Sequence, residues 1–396
     1  MIPLIQIDDP ARATPARPTW SAFLELGFRP LYLAGCGWAA VSVALWVFAP
    51  GWLTGHLGGV AWHAHEMLWG FIATIAVGFL LTAGTNWTGV NPLHGRPLAA
   101  LTVLWLAARV GFLVPGRWAF GLAAASELPF FAVAAVALGR VIVVKRSQRN
   151  HGVPPLVFAL GLADALFLRA AASGDHVVLM QHFHTGLLCM AVVTLLVARR
   201  VIPFFASRAV HGLAIPMHTR SGHWQLAAGV LAIGGGLLGW STAMAACLAV
   251  AGVIALVQLV AWKPRAVRMV PLLWILYAGY AALGAGLLVA AAHAAGGVAR
   301  LAWPAHVVGV AGFSVLIIGM VTRTALGHLG RPLRTDRLMV TCYALVIAAA
   351  ALRLLALWPT PFVLGLLHAS AGAWVLAFGL YLWRFVPMMV RPRLRP

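Results

Sequence analysis

"AWHAHEMLWGFIATIAVGFLLTAGTNWTG" occupies residues 61–89. After Glu66 it runs into a long apolar stretch, and three titratable side chains, His63, His65 and Glu66, stand at its lip. Such groups are costly in lipid and call for a specific partner or role. The rest of the chain has the same character. Of its 396 residues, 62% are hydrophobic and 9% are charged, against about a quarter charged in a soluble domain. No soluble core absorbs that much apolar sequence. The chain reads as an all-α, polytopic membrane protein whose helices satisfy their own backbone polar groups.

Twelve spans are expected, at about residues 30–49, 62–84, 97–114, 118–144, 153–172, 177–198, 223–241, 243–262, 271–294, 303–322, 338–357 and 361–383. They form one transmembrane domain over 30–385, preceded by an N-terminal cytoplasmic or interfacial segment, 1–29, and followed by a short basic tail, 386–396. The N-terminal segment is polar and proline-rich with no apolar core after its arginines, so it is not a secretory signal. "WSAFLELGF" (20–28) reads as a short interfacial helix.

The basic residues orient the chain. Of 28 lysines and arginines, only Arg117 and Arg300 fall in the connections on one side, and Arg109, Arg169 and Arg353 fall within spans. The remaining 23 fall on the other side, which the positive-inside rule makes cytoplasmic, together with both termini. That distribution accounts for the net charge of +20 without any nucleic-acid partner. The four cysteines lie singly in different spans and form neither a CxxC pair nor a disulfide framework.

With orientation set, the histidines acquire a depth. Spans 2, 6, 10 and 12 all run from outside to inside. They carry His63 and His65, His182 and His184, His306, and His368 in their early turns. Four helices presenting imidazole at one level point to a metal or haem site built from facing helices. Residues two apart on a helix point about 200° apart. Each HxH pair therefore supplies one ligand, or serves two sites on opposite faces. Glu66 is placed to orient His63 at i, i+3. Arg109, Arg169 and Arg353 lie at the histidine level and are candidates for anionic partners such as haem propionates, or for snorkelling to the interface. Glu66, Glu127 and Asp164 are the acids within spans and are candidates for pairing with those arginines or for proton relay. A weak internal echo among spans 2, 6 and 10 suggests three four-helix units in a pseudo-threefold arrangement.

The stretches "WHAHEMLWGF…GFLLTAGTNWTG" (62–89), "RVIPFF" (200–205), "RAVRMVPLLWILYAGYA" (265–281), "HVVGVAGFSVLIIGMVTRTALGHLGRPL" (306–333) and "WVLAFGLYLWRFVPMMVRPR" (374–393) resemble the NnrS family of bacterial membrane proteins. The resemblance implies a twelve-helix inner-membrane protein that binds haem b and copper and takes part in the response to nitric oxide. It places His63, His65 and Glu66 in the family's HxHEM signature, His306, Arg323 and His328 in a second, and Arg200 in a third. Tyr277 stands where a histidine is expected. A weaker architectural resemblance is to haem-copper oxidases and nitric oxide reductases. On these grounds His65, His184 and His306 are the expected axial ligands, with His63 and His368 for a second metal.

Three functions remain open at this point. One is reduction or other detoxification of nitric oxide, drawing on a quinol or other electron donor, with Glu66, Glu127 and Asp164 supplying protons. The second is a non-catalytic haem protein that senses nitric oxide or protects against nitrosative stress. The third is a metal or haem transporter, which would place its site at broken helices near the midplane.

Overall fold

The structure is a computed structural model and describes residues 17–216 and 218–394. The expectations for residues 1–16 and 395–396, at the ends of the N-terminal segment and basic tail, lie outside the described residues. Among the described residues the chain is all-helical.

Each apolar run has become a helix, because in the absence of water a helix satisfies every backbone N–H and C=O within the segment. The long helices are α1 (Phe28–Phe48), α2 (Gly59–Thr88), α3 (Gly95–Leu113), α4 (Arg117–Val144), α5 (Val153–Ser173), α6 (His176–Ala209), α7 (Thr219–Leu237), α8 (Ser241–Ala261), α9 (Pro271–Ala294), α10 (Ala302–His328), α11 (Arg337–Leu355) and α12 (Val363–Met389). All correspond to expected spans. Eleven are long and apolar enough to cross a membrane, which makes the chain a multi-pass membrane protein. The exception, α7, spans 19 residues but opens on "TRSGHWQ", whose polar side chains lower its apolar character. A one-turn helix, Trp20–Phe23, is what forms in the expected interfacial segment.

Helix ends follow local chemistry. Asp175 and Asp336 cap α6 and α11 by accepting from the backbone N–H of Val178 and Met339. Gly89 and Gly174 close α2 and α5 in the left-handed region. The "ELPFF" stretch does not break α4, which continues through Pro129.

Consecutive helices pack on one another from α3 round to α12, and α12 packs back on α1, which packs on α2. Within that ring α2, α6 and α10 meet one another. Burial confirms that they are the inner helices. The most apolar window of α2 is 83% buried, those of α6 and α10 are 67% buried and that of α9, packed on α10, is 61% buried, against 28–44% for α1, α3, α4, α5, α8, α11 and α12. Glycines permit the close approaches. A Cβ on Gly279 of α9 would lie 2.6 Å from the Leu316 backbone nitrogen of α10. An apolar cavity of about 90 Å³ lies between the inner three, lined by Ile72 and Phe79 of α2, Met190 and Val197 of α6, and Phe313 and Met320 of α10.

Two of the inner helices share an irregularity. In α2 the stretch Glu66–Ala73, and in α10 the stretch Val307–Ser314, is π-helix, each eight residues long and each beginning immediately after a histidine, His65 or His306. Wider turns of this kind are rare and concentrate at functional sites.

Candidate functional site

The π turn settles what "HAHE" does. In a regular helix adjacent residues point apart and do not meet. With more residues per turn, successive side chains subtend a smaller angle, and His65 and Glu66 turn toward the same interior point. His65 Nδ1 lies 2.9 Å from Glu66 Oε1. The expected pairing of Glu66 with His63 is therefore replaced by one with His65, because the i, i+3 argument assumed an unbroken α-helix.

Around that pair four helices deliver a closed cluster. His65 Nε2 lies 3.0 Å from Asp164 Oδ1 of α5 and 3.3 Å from Glu127 Oε2 of α4. Arg109 of α3 donates from Nη1 to Glu66 Oε2 at 2.6 Å and from Nη2 to Glu127 Oε1. Trp38 of α1 donates its indole N–H to Glu66 Oε2. His65, Glu66, Arg109 and Asp164 are fully buried and Glu127 is 1% exposed. The rings of Trp69, Phe112 and Phe167 stand 4.8–5.5 Å from the imidazole and wall the cluster. Gly70 makes it possible: a Cβ there would fall 2.3 Å from Arg109 Nη1 and 2.7 Å from Glu66 Oε2. The expectation that Glu127 and Asp164 pair with interior arginines thus takes form at Arg109 and Glu127, while Asp164 reaches the imidazole instead. Arg109 is committed to two carboxylates rather than standing with Arg169 and Arg353.

His63 goes elsewhere, as the 200° argument required of one member of the pair. Its ring stacks on Trp46 of α1 at 5.1 Å and 9°. It lies within electrostatic reach of His306 and Arg353, and its Nδ1 is buried without a hydrogen-bond partner. His306 Nδ1 faces the Ala302 carbonyl at 2.7 Å. A carbonyl only accepts, so Nδ1 carries the hydrogen and Nε2 of the neutral ring keeps its lone pair. On the neighbouring side His184 of α6 lies 6.2 Å from His293 of α9, ring to ring. His184 Nε2 is buried and unpartnered, and His293 Nδ1 is tied to the Val298 carbonyl, again leaving Nε2 free.

The remaining candidates stand apart. His182 is near the exposed Arg169 and has an unpartnered Nδ1. His368 is exposed, bonded to the Leu364 carbonyl and stacked on Phe48. Of the expected axial trio, His65 is engaged otherwise: both of its ring nitrogens face carboxylates. Sequence reasoning gave His293 no ligand role and left out Trp38 and Gly70. The HxH signal on α6 had no visible counterpart on α9, because His293 lies at the end of a helix running the opposite way. At the arginine-rich end, Arg323 of α10 lies 3.8 Å over the ring of Phe205 of α6, joining the "TR" and "RVIPFF" motifs.

No curated protein and no solved structure matches the chain. A family profile described as "NnrS protein" matches residues 22–393, so that the two histidine groups, the π turns and the Arg323–Phe205 contact all lie inside the match, and the chain belongs to the NnrS family.

Proposed function

We propose that this chain is a haem-binding membrane protein of the nitric oxide response, with its binding centre at the arginine-poor ends of α2, α6, α9 and α10. The observation that supports this reading is the set of uncommitted imidazole nitrogens there. His63 Nδ1 and His184 Nε2 are buried and unpaired. His293 and His306 each have Nδ1 on a carbonyl and Nε2 free, the arrangement in which a histidine ligates metal. A buried polar atom without a partner costs about 1–3 kcal/mol, which a ligand would recover.

The donor set fits both groups that family membership suggests. His63 and His306 would hold haem b, with Arg353 beside them for its propionates, and His184 with His293 would hold copper. Haem iron held there supplies a centre that binds nitric oxide. The protein's own side chains do the rest. Trp46 lies flat on His63 and fixes its ring plane. Nitric oxide is small and apolar and reaches the centre through lipid, and the apolar cavity between α2, α6 and α10 offers it a dry space. The basic residues favour an orientation with both termini in the cytoplasm of a bacterial inner membrane and the histidines at the outer face.

The three interior acids sit in the closed cluster and not at this mouth. That favours binding and protection from nitrosative stress over reduction, which needs a proton supply as well as a quinol or other electron donor. Absorption spectra of the purified protein, oxidised and reduced, with and without nitric oxide, test the reading. A Soret band that shifts with nitric oxide and is lost in His63→Ala or His306→Ala is expected. A chain that purifies without haem and takes none up sinks it. Nitric oxide consumption with a quinol donor at the rate of a reductase would restore the catalytic alternative.

A further inference from the structure

We infer that His65, Glu127 and Asp164 form a divalent metal site of the Zn²⁺ class, distinct from the haem and copper centre proposed above. The inference begins with hydrogen bookkeeping. His65 Nδ1 lies 2.9 Å from Glu66 Oε1, and a carboxylate only accepts, so Nδ1 carries the ring hydrogen. Nε2 of a neutral ring is then a lone pair, and it faces Asp164 Oδ1 at 3.0 Å and Glu127 Oε2 at 3.3 Å. Three acceptors converge on one point, and they hold together around a cation or a proton placed among them.

Charge and distance identify that centre. Glu66, Glu127 and Asp164 against Arg109 leave a formal charge of −2 in a fully buried cluster. A divalent ion neutralises it. The ligand atoms of the three residues all lie within 4.8 Å of one another, and the 3.0 and 3.3 Å separations approach the edge of a tetrahedron, about 3.3 Å for ligands at about 2.0 Å from zinc. Asp164 Oδ2 is buried without a hydrogen-bond partner and remains for a further bond. The surroundings are those of a structural metal site. Glu66 orients the imidazole as a carboxylate–histidine–metal triad requires, Arg109 ties Glu66 to Glu127, and aromatic rings exclude water. One imidazole and two carboxylates, without thiolate, suit zinc, manganese or ferrous iron rather than cuprous copper. Bound there, the ion would pin α2, α4 and α5 together beside the inner helices.

The test uses the full chain in detergent, stripped with a chelator, dialysed against Zn²⁺ alone and analysed for bound metal. One equivalent per chain is expected. Asp164→Asn and Glu127→Gln should each weaken binding at least about tenfold, and Glu66→Gln by about 10–100-fold. His184→Ala and His306→Ala should leave it unchanged, while haem absorbance is lost in His306→Ala and kept in Asp164→Asn and Glu127→Gln. X-ray absorption at the zinc edge of the unsubstituted protein needs no variant to fold, and should show a nitrogen and oxygen shell with one imidazole. A shell containing sulfur or several imidazoles overturns the assignment. So does a folded protein that retains no Zn²⁺, in which case a second proton on His65 is the positive centre.

Discussion

Gly70→Ala is the most direct probe of how the "HAHEMLWG" turn builds its cluster. The new Cβ would lie 2.3 Å from Arg109 Nη1, 2.7 Å from Glu66 Oε2 and 3.0 Å from Trp38 Nε1. Contact distance is about 3.5 Å, so the guanidinium must retreat by about 1 Å. Side-chain ends in solvent make such a move freely. Here the guanidinium is held by Glu66 and Glu127 and is fully buried, so retreat breaks the 2.6 Å bond to Glu66. Overpacking costs about 1–3 kcal/mol and the lost charge-assisted bond about 1.5–3 kcal/mol. The higher helix propensity of alanine returns about 1 kcal/mol. The net expectation is a destabilisation of about 1.5–5 kcal/mol. Gly372 of α12 is the control: it is exposed and a Cβ there meets nothing within 4 Å, so Gly372→Ala should be neutral or stabilising by up to about 1 kcal/mol. Unfolding in mixed micelles, monitored by helical circular dichroism, compares the two. If Gly70→Ala lies within about 0.5 kcal/mol of Gly372→Ala, the packed ion-pair reading is refuted.

Three further outcomes follow from the same contacts. Arg109→Leu leaves buried carboxylates uncompensated and should cost about 3–5 kcal/mol in the same assay; adding Glu127→Gln should recover part of that loss, and strict additivity would contradict the pairing. Gly279→Ala drives a Cβ against the backbone nitrogen of Leu316, which cannot step aside as a side chain can, so α9 and α10 must separate at a cost of about 1–3 kcal/mol, seen as a lowered unfolding midpoint. Arg323→Lys keeps the charge but loses the planar group lying 3.8 Å over Phe205, and should cost about 0.5–2 kcal/mol, with Phe205→Leu no longer additive to it.

How far the sequence could be read depended on which physical quantity each feature obeys. The helices were legible because lipid permits little else, and each apolar run returned as a helix. Hydropathy also explains the weak case, since the polar opening of α7 lowers its apolar character without shortening it. The divergence of His63 and His65 followed from helix periodicity alone, and the two rings do enter different surroundings. Depth, however, fixes height in the membrane and not the direction a side chain faces. His65, His184 and His306 share a level by sequence, yet His65 turns to Asp164 and Glu127 while His184 turns to His293. The contact between His65 and Glu66 was illegible for another reason: it depends on a π turn, and hydrophobic periodicity does not register one extra residue in a turn.

Two hydroxyl bonds mark the ends of those π turns. Most helical threonine and serine hydroxyls that bond a carbonyl of their own helix reach three or four residues back, as Thr82 does to Gly78, Thr194 to Met190 and Thr322 to Ile318. Thr74 and Ser314 instead reach five residues back, to Trp69 and Gly309, each at 3.0 Å and each at the end of a π stretch. Thr74→Val and Ser314→Ala should each cost about 1 kcal/mol, as should Thr322→Val, because each removes one buried hydrogen bond. The cost alone does not separate a π latch from an ordinary bond, so position must be read as well. If Thr74 holds the α2 turn, Thr74→Val should loosen the His65 cluster and lower its Zn²⁺ affinity while leaving haem absorbance unchanged. Ser314→Ala should do the reverse, shifting the absorbance through His306 and sparing the zinc site. Thr322→Val, whose bond has ordinary α spacing, should move neither readout. Equal effects from all three variants would mean that the hydroxyls only follow the backbone, and that the π turns are held by the packing of α2, α6 and α10 on one another.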